Sequence, residues 1–213
     1  MSMSFMSRFF LLVLIMLAVI GCNGAQRVVP TPTPIPTPTV AAVATPSSAT
    51  MTNLTLGEVQ TIVYNGFTFR PIEGWTLSTE SDSVSMESPG AQVNAGPGFF
   101  ITGGYLEDFG VTSAGPVEAT EMIIQSYISA LIPVEESFMT EPRRIALPGL
   151  VGNDMEFAVP DAPQPYRGRI TVFQQGNQIL LFLGLTPPEL WDDDFETLYD
   201  QVLRETRMVA VER

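Results

Sequence analysis

Tyr166-Arg-Gly-Arg-Ile-Thr-Val-Phe-Gln-Gln-Gly-Asn-Gln-Ile-Leu-Leu-Phe-Leu-Gly-Leu185 is the stretch that decides the fold. Two runs, 166–174 and 178–185, are rich in β-branched and aromatic residues and read as strands. Gly176-Asn177 between them closes a tight hairpin, so the pair is antiparallel. The second run does not alternate. Ile179, Leu180, Leu181, Phe182 and Leu183 send apolar side chains to both faces, so both faces of that strand must be covered.

Working outward, Thr186-Pro187-Pro188-Glu189 has capping-box spacing and predicts the start of a helix. Trp191, Phe195, Leu198, Tyr199, Val202 and Leu203 supply its apolar stripe, and Met208–Val211 reads as a closing strand. Upstream lie a strand at Asp154–Val159, a turn at Gly149–Asn153 and a strand at Arg144–Leu147. Pro116 opens an earlier helix that runs to about Leu131, with Glu118 and Glu121 in its positive N-terminal half and Pro133 beyond its end. Ala119, Met122, Ile123, Tyr127, Ala130 and Leu131 form its predicted packing face. Before it come strands at Phe99–Tyr105, Ser83–Glu87 and Trp75–Thr79, and a loop over Pro89–Gly98. Tyr64-Asn65-Gly66-Phe67 marks a hairpin, because Asn-Gly tolerates the positive φ of a type I′ turn. Five strands, a helix, four strands, a helix and a strand, joined by antiparallel hairpins, define an α+β class: an antiparallel sheet flanked by two main helices.

The amino-terminal part has a different composition. Arg8 precedes an apolar run from Phe9 to Ile20, and Val19-Ile20-Gly21 leads into Cys22, the only cysteine. A run of this length is short of the ~20 residues that span a bilayer. Its layout is that of an export signal over 1–21, and a small-residue approach to the lone cysteine resembles a bacterial lipobox. That resemblance implies lipidation of Cys22 and cleavage before it, leaving the chain anchored in a cell membrane or outer membrane and facing outside the cytoplasm. Residues 22–53 then form a tether in which alternating Pro and Thr (Pro30 to Thr39) forbid helix. The globular domain occupies 54–213.

Composition narrows the chemistry. The 23 acidic residues all lie beyond position 57, against eight Arg there, so the domain is strongly acidic and the whole chain carries a formal −13. Such a field disfavours nucleic acid and favours a monomer. There is no His and no Lys, which excludes nucleophilic sites built on either and zinc sites built on His. No intrachain disulfide can form.

Phe67-Thr68-Phe69-Arg70-Pro71 followed by Gly74-Trp75 resembles the opening of the PsbP/Mog1-like domains. Ile145, Leu147, Gly149 and Gly152 fit the strand-turn after the first helix, and Gly184 with the Pro-containing cap precedes the terminal helix. The likeness covers 60–212. It implies an α/β/α sandwich and a protein-binding or assembly role, since the known members include extrinsic photosystem subunits, a nuclear GTPase-binding factor and exported lipoproteins. It carries no shared catalytic set. Trp75 reads as a core anchor beneath the first hairpin.

Two constellations remain. Asp192-Asp193-Asp194-Phe195-Glu196, with Glu189 and Asp200, reads as a carboxylate-rich first turn favoured by the helix dipole; the competing reading is a Ca²⁺ site. Arg167 and Arg169, two apart on a strand, share a face suited to an anionic ligand, or to a cross-strand ion pair in which Glu156 lies opposite Arg169. The expectation is a non-catalytic, membrane-tethered lipoprotein whose domain binds a protein or small ligand at the cell envelope. Cys22 is its single assigned site residue, and no catalytic, metal or cofactor residues are assigned. The alternatives are a carboxylate-dependent hydrolase, with or without Ca²⁺ assistance, and a carrier of an apolar ligand.

Overall fold

In the computed structural model the described residues are 54–62, 66–89, 96–112, 115–132, 138–162 and 164–209, without the side chains of Leu131 and Asp193. All belong to the unit Thr50–Arg213. The signal 1–21, Cys22 and the tether to residue 53 lie outside them, as does Asn65 of the first hairpin turn.

The elements in chain order are β1 (Gln60–Ile62), β2 (Phe67–Phe69), β3 (Thr76–Thr79), β4 (Ser83–Glu87), β5 (Gly98–Tyr105), α1 (Pro116–Leu131), β6 (Phe138–Met139), β7 (Arg143–Leu147), β8 (Leu150–Val159), β9 (Tyr166–Gln175), β10 (Gln178–Thr186), α2 (Asp193–Glu205) and β11 (Arg207–Met208). β9 and β10 pair antiparallel from Gln175↔Gln178 to Arg167↔Thr186, and Gly176 takes the positive φ of their turn. β10 is central. The large sheet runs β3-β4-β5-β10-β9-β8-β6, with β7 also on the outer side of β8.

The unbroken apolar run of β10 is explained by two cores, one on each face. On one face Ile179, Leu181 and Leu183 join Met155, Phe157, Ile170 and Val172 under Ala119, Ile123, Ile124 and Ile128 of α1. On the other, Leu180 and Phe182 join Phe99, Ile101 and Phe173 under Phe195, Leu198, Tyr199 and Val202 of α2. Gly184 makes room for α2: a Cβ there would lie 2.6 Å from the Tyr199 ring. Asn153 pins α1 to the sheet by donating from Nδ2 to the Val117 carbonyl at 2.7 Å and to Thr120 Oγ1 at 3.0 Å.

The strands do not form one sheet. β1, β2 and β11 make a separate three-stranded sheet whose fully buried Phe67 and Phe69 share the core with α2. Arg70 staples the incoming chain to it, donating to the carbonyls of Gly57 at 2.8 Å and Leu56 at 3.1 Å.

Several boundaries differ from the sequence reading. The expected turn Gly149–Asn153 is mostly strand: only Pro148-Gly149 turns, and β8 pairs from Leu150 onward. An additional strand, β6, precedes β7. The packing face of α1 is rotated, with Thr120, Ile124 and Ile128 buried, Met122 50% exposed and Ala130 also exposed. Bulk β-branched residues outcompeted the Met and Ala positions for the sheet. The closing strand is Arg207–Met208, and residues beyond 209 are outside the described set. Trp75 is half-buried: its ring stacks on Phe99 at 5.7 Å and caps the core rather than filling it.

Candidate functional site

Strand alternation places Asp154 and Glu156 of β8 on the same face as Arg167, Arg169 and Thr171 of β9. Glu156 is opposite Arg169, as the spacing predicts, yet the ion pairs run diagonally. Arg169 Nε donates to Asp154 Oδ1 at 2.7 Å and Arg169 Nη1 to Asp200 Oδ1 of α2 at 2.9 Å. Glu156 is left to Arg143 at 3.6 Å and Arg167 at 3.8 Å. The reason is length: a guanidinium reaching back one row meets a carboxylate under α2, and α2 supplies the second one.

Asp154 is the hub of this cluster, and its side chain is fully buried. It also accepts from Arg143 Nε and Thr171 Oγ1, each at 2.7 Å. Thr171 spends its single proton on Asp154, so at the 2.8 Å contact the Tyr199 hydroxyl donates, shared with the Phe182 carbonyl at 3.2 Å. Burial pushes the Tyr199 phenol well above its ordinary value, and the neighbouring Asp154 charge adds to this. Burial opposes the Arg169 cation, but Tyr199, Asp154 and Asp200 outweigh it, and its pKa lies above the usual arginine value. Arg169 also lies over the Tyr199 ring at 4.5 Å. This arginine is therefore locked into the fold and cannot grip a ligand.

Arg167 is different. The next row across the sheet is Phe138, Ala158, Arg167, Thr186. Here Phe138 is 68% exposed, and the Arg167 side chain is 39% exposed, stacked over Trp191 at 4.5 Å. With the exposed Arg143, these side chains make a ledge of two aromatic rings and two guanidiniums around Glu156. That combination suits a ligand bearing both a negative charge and apolar surface.

The acidic run resolves into local contacts. Thr186 to Glu189 do not cap α2; Pro188–Leu190 is a short 3-10 turn, and Thr186 Oγ1 is buried without a hydrogen-bond partner among the described residues. The helix starts at Asp193 with Asp192 as its cap, whose Oδ1 accepts from the Phe195 N–H at 3.0 Å. Glu196 accepts from Trp191 Nε1 at 3.0 Å and so helps orient the ledge. Among the described residues no group of three or more His, Cys, Asp or Glu converges in a way that would hold a metal ion. The sequence reading gives Asp154 and Thr171 no role beyond strand positions and places Tyr199 only in the apolar stripe of the second helix. The available signal was an Asp at an inward strand position with Thr171 and Arg169 at matching positions on the next strand.

No protein-family model matches the chain, and no curated protein matches its sequence. Solved structures do match in fold. The solution structure of cyanobacterial PsbP (CyanoP) from Synechocystis sp. PCC 6803 superposes with a TM-score of 0.50 at 13% identity, over 73% of this chain and 94% of that one. A variant of protein Mog1 superposes with a TM-score of 0.51 at 7% identity, over 73% of this chain and 97% of that one. Identities this low speak to architecture alone, and on architecture they agree with the sequence reading: the domain has the PsbP/Mog1-like α+β fold.

Proposed function

We propose that this chain is a lipid-anchored, non-catalytic binding protein. Acylation at Cys22 holds it to the membrane outside the cytoplasm, residues 22–53 act as the tether, and the ledge of Phe138, Arg143, Arg167 and Trp191 receives a protein or small ligand at the cell envelope. The observation that carries the binding reading is the division of labour among the arginines. The Arg169 side chain is 9% exposed and held between Asp154 and Asp200, whereas Arg143 and Arg167, though paired with Asp154 and Glu156, keep 61% and 39% of their side chains exposed, Arg167 stacked over half-buried Trp191. The PsbP/Mog1-like fold is compatible with such a role.

Both halves are testable in one preparation. Labelled fatty acid should enter the wild-type protein at Cys22 and be absent from Cys22→Ser; wild-type protein without label refutes the anchor. The intact lipidated protein, cross-linked in its membrane and analysed by mass spectrometry, should capture a partner that Phe138→Ala, Arg167→Ala loses. Equal capture by wild type and variant refutes the ledge.

A further inference from the structure

We propose that the outer edge of β7, beside the ledge, binds an acidic, extended segment of a partner protein by adding it as a further strand. The proposal rests on the binding reading above and names the partner chemistry at the same site.

β8 pairs with β9 on one side and with β6 and β7 on the other, and among the described residues nothing pairs with β7 on its outer side. Alternation along an antiparallel strand directs every second N–H and C=O away from its neighbour, so β7 offers a row of backbone groups to an incoming strand. The offer is short. The register shifts by one residue between Met139↔Phe157 and Arg143↔Asp154, which puts a bulge at Glu141-Pro142. Pro142 has no N–H to give, so productive pairing is confined to Arg143–Leu147.

Charge selects the occupant. Arg143 and Arg144 are adjacent and exposed, so they project from opposite faces of the edge. Arg143 is held by Asp154 and Glu156, while Arg144 has no ion pair among the described residues. The opposite free edge of the sheet, β3, reads Thr-Leu-Ser-Thr and carries no charge at all. In a chain of net charge −13, β7 is thus a cationic edge on an acidic molecule. A second copy paired antiparallel over Arg143–Leu147 sets Arg143 opposite Leu147 and Arg144 opposite Ala146, and so brings neither arginine a carboxylate. A strand with two adjacent acidic residues places one carboxylate on each face, matching Arg143 and Arg144.

The test uses the full chain with fluorescein-labelled decapeptides: one with a central Glu-Glu flanked by Val and Thr, one with Gln-Gln instead, and one Glu-Glu peptide N-methylated at alternate amides. Anisotropy should show the Glu-Glu peptide binding at least about tenfold more tightly than either control, and more weakly as salt rises. Arg144→Glu should cost a further loss of about tenfold while leaving the melting temperature unchanged, since it breaks no described contact. Absence of binding at millimolar peptide, equal binding by the Gln-Gln or N-methylated peptide, or indifference to Arg144→Glu overturns the proposal. If the peptide fails but Phe138→Ala, Arg167→Ala still abolishes partner capture, the edge proposal falls and the binding reading stands. If capture also survives that variant, both fall.

Discussion

Asp154 accepts hydrogen bonds from Arg169, Thr171 and Arg143 while its own side chain is fully buried. A carboxylate taken out of water is tolerated only when such partners replace its hydration, and removing it leaves Arg169 buried with Asp200 as its remaining partner. Asp154→Ala should therefore destabilise the domain by about 3–5 kcal/mol. Urea denaturation would read this as a lower midpoint with an unchanged slope, and a loss below about 1 kcal/mol would mean that the cluster adds no net stability. Asp154→Asn keeps the shape and an acceptor for Thr171 but not the charge, so it should fall between wild type and Asp154→Ala. Arg167, one row away and half-exposed, should be far more tolerant of change, which is the energetic counterpart of its freedom to meet a ligand.

At the scale of elements, α2 shows how a local signal competes with its surroundings. Thr186 has the residue type and spacing of a cap, but β10 continues through it to pair with Arg167. The helix cannot begin until the Pro187-Pro188 turn has been left, and Asp192 is the first residue able to cap it. Asp192→Ala should cost about 1 kcal/mol, the usual value of an N-cap side chain. Because the capping interaction needs no metal, millimolar Ca²⁺ should raise the melting temperature no more than Mg²⁺ at equal ionic strength. A Ca²⁺-selective rise that disappears in Asp192→Asn, Asp194→Asn would instead assign the acidic run to metal binding. α1 illustrates the same competition in its rotation: the face carrying Ile123, Ile124 and Ile128 wins the sheet, and Met122 is turned out.

For the molecule as a whole, the two cores each hold a tyrosine whose proton is retained by burial. Tyr199 lies on the α2 side and Tyr127 on the α1 side, where burial, and then Asp82, push it up. A phenol with a raised folded pKa binds its proton more tightly folded than unfolded. Its contribution is present in full below the unfolded value near 10 and is lost as pH rises toward the folded one. Stability should thus begin to fall above about pH 10, by up to about 1.4 kcal/mol per pH unit for each of the two groups. Denaturant midpoints between neutral and strongly alkaline pH would measure this. Tyr199→Phe should flatten the decline whatever it does to stability at neutral pH, and an unchanged alkaline slope in that variant would show that Tyr199 does not couple to folding.

The sequence by itself determined what depends on near neighbours along the chain. The unbroken apolar run of β10 demanded two covered faces; Gly176-Asn177 and Pro116 placed a hairpin and a helix start; and the absence of His and Lys removed whole classes of chemistry. The parts of the candidate site legible in advance were the shared face of Arg167 and Arg169 and the register of Glu156 against Arg169. Tertiary structure alone decided which arginine is locked and which is free. A guanidinium has reach enough to pass over the residue directly opposite, and its partner is set by whatever helix descends on that face. α2 descends with Tyr199 and Asp200 over Arg169, while the row of Phe138, Ala158 and Arg167 is left as the open ledge. The separation of β1, β2 and β11 into a second sheet is equally a matter of packing. Short strands pair where their aromatic faces can be buried, and Phe67 and Phe69 are buried in the core that α2 closes.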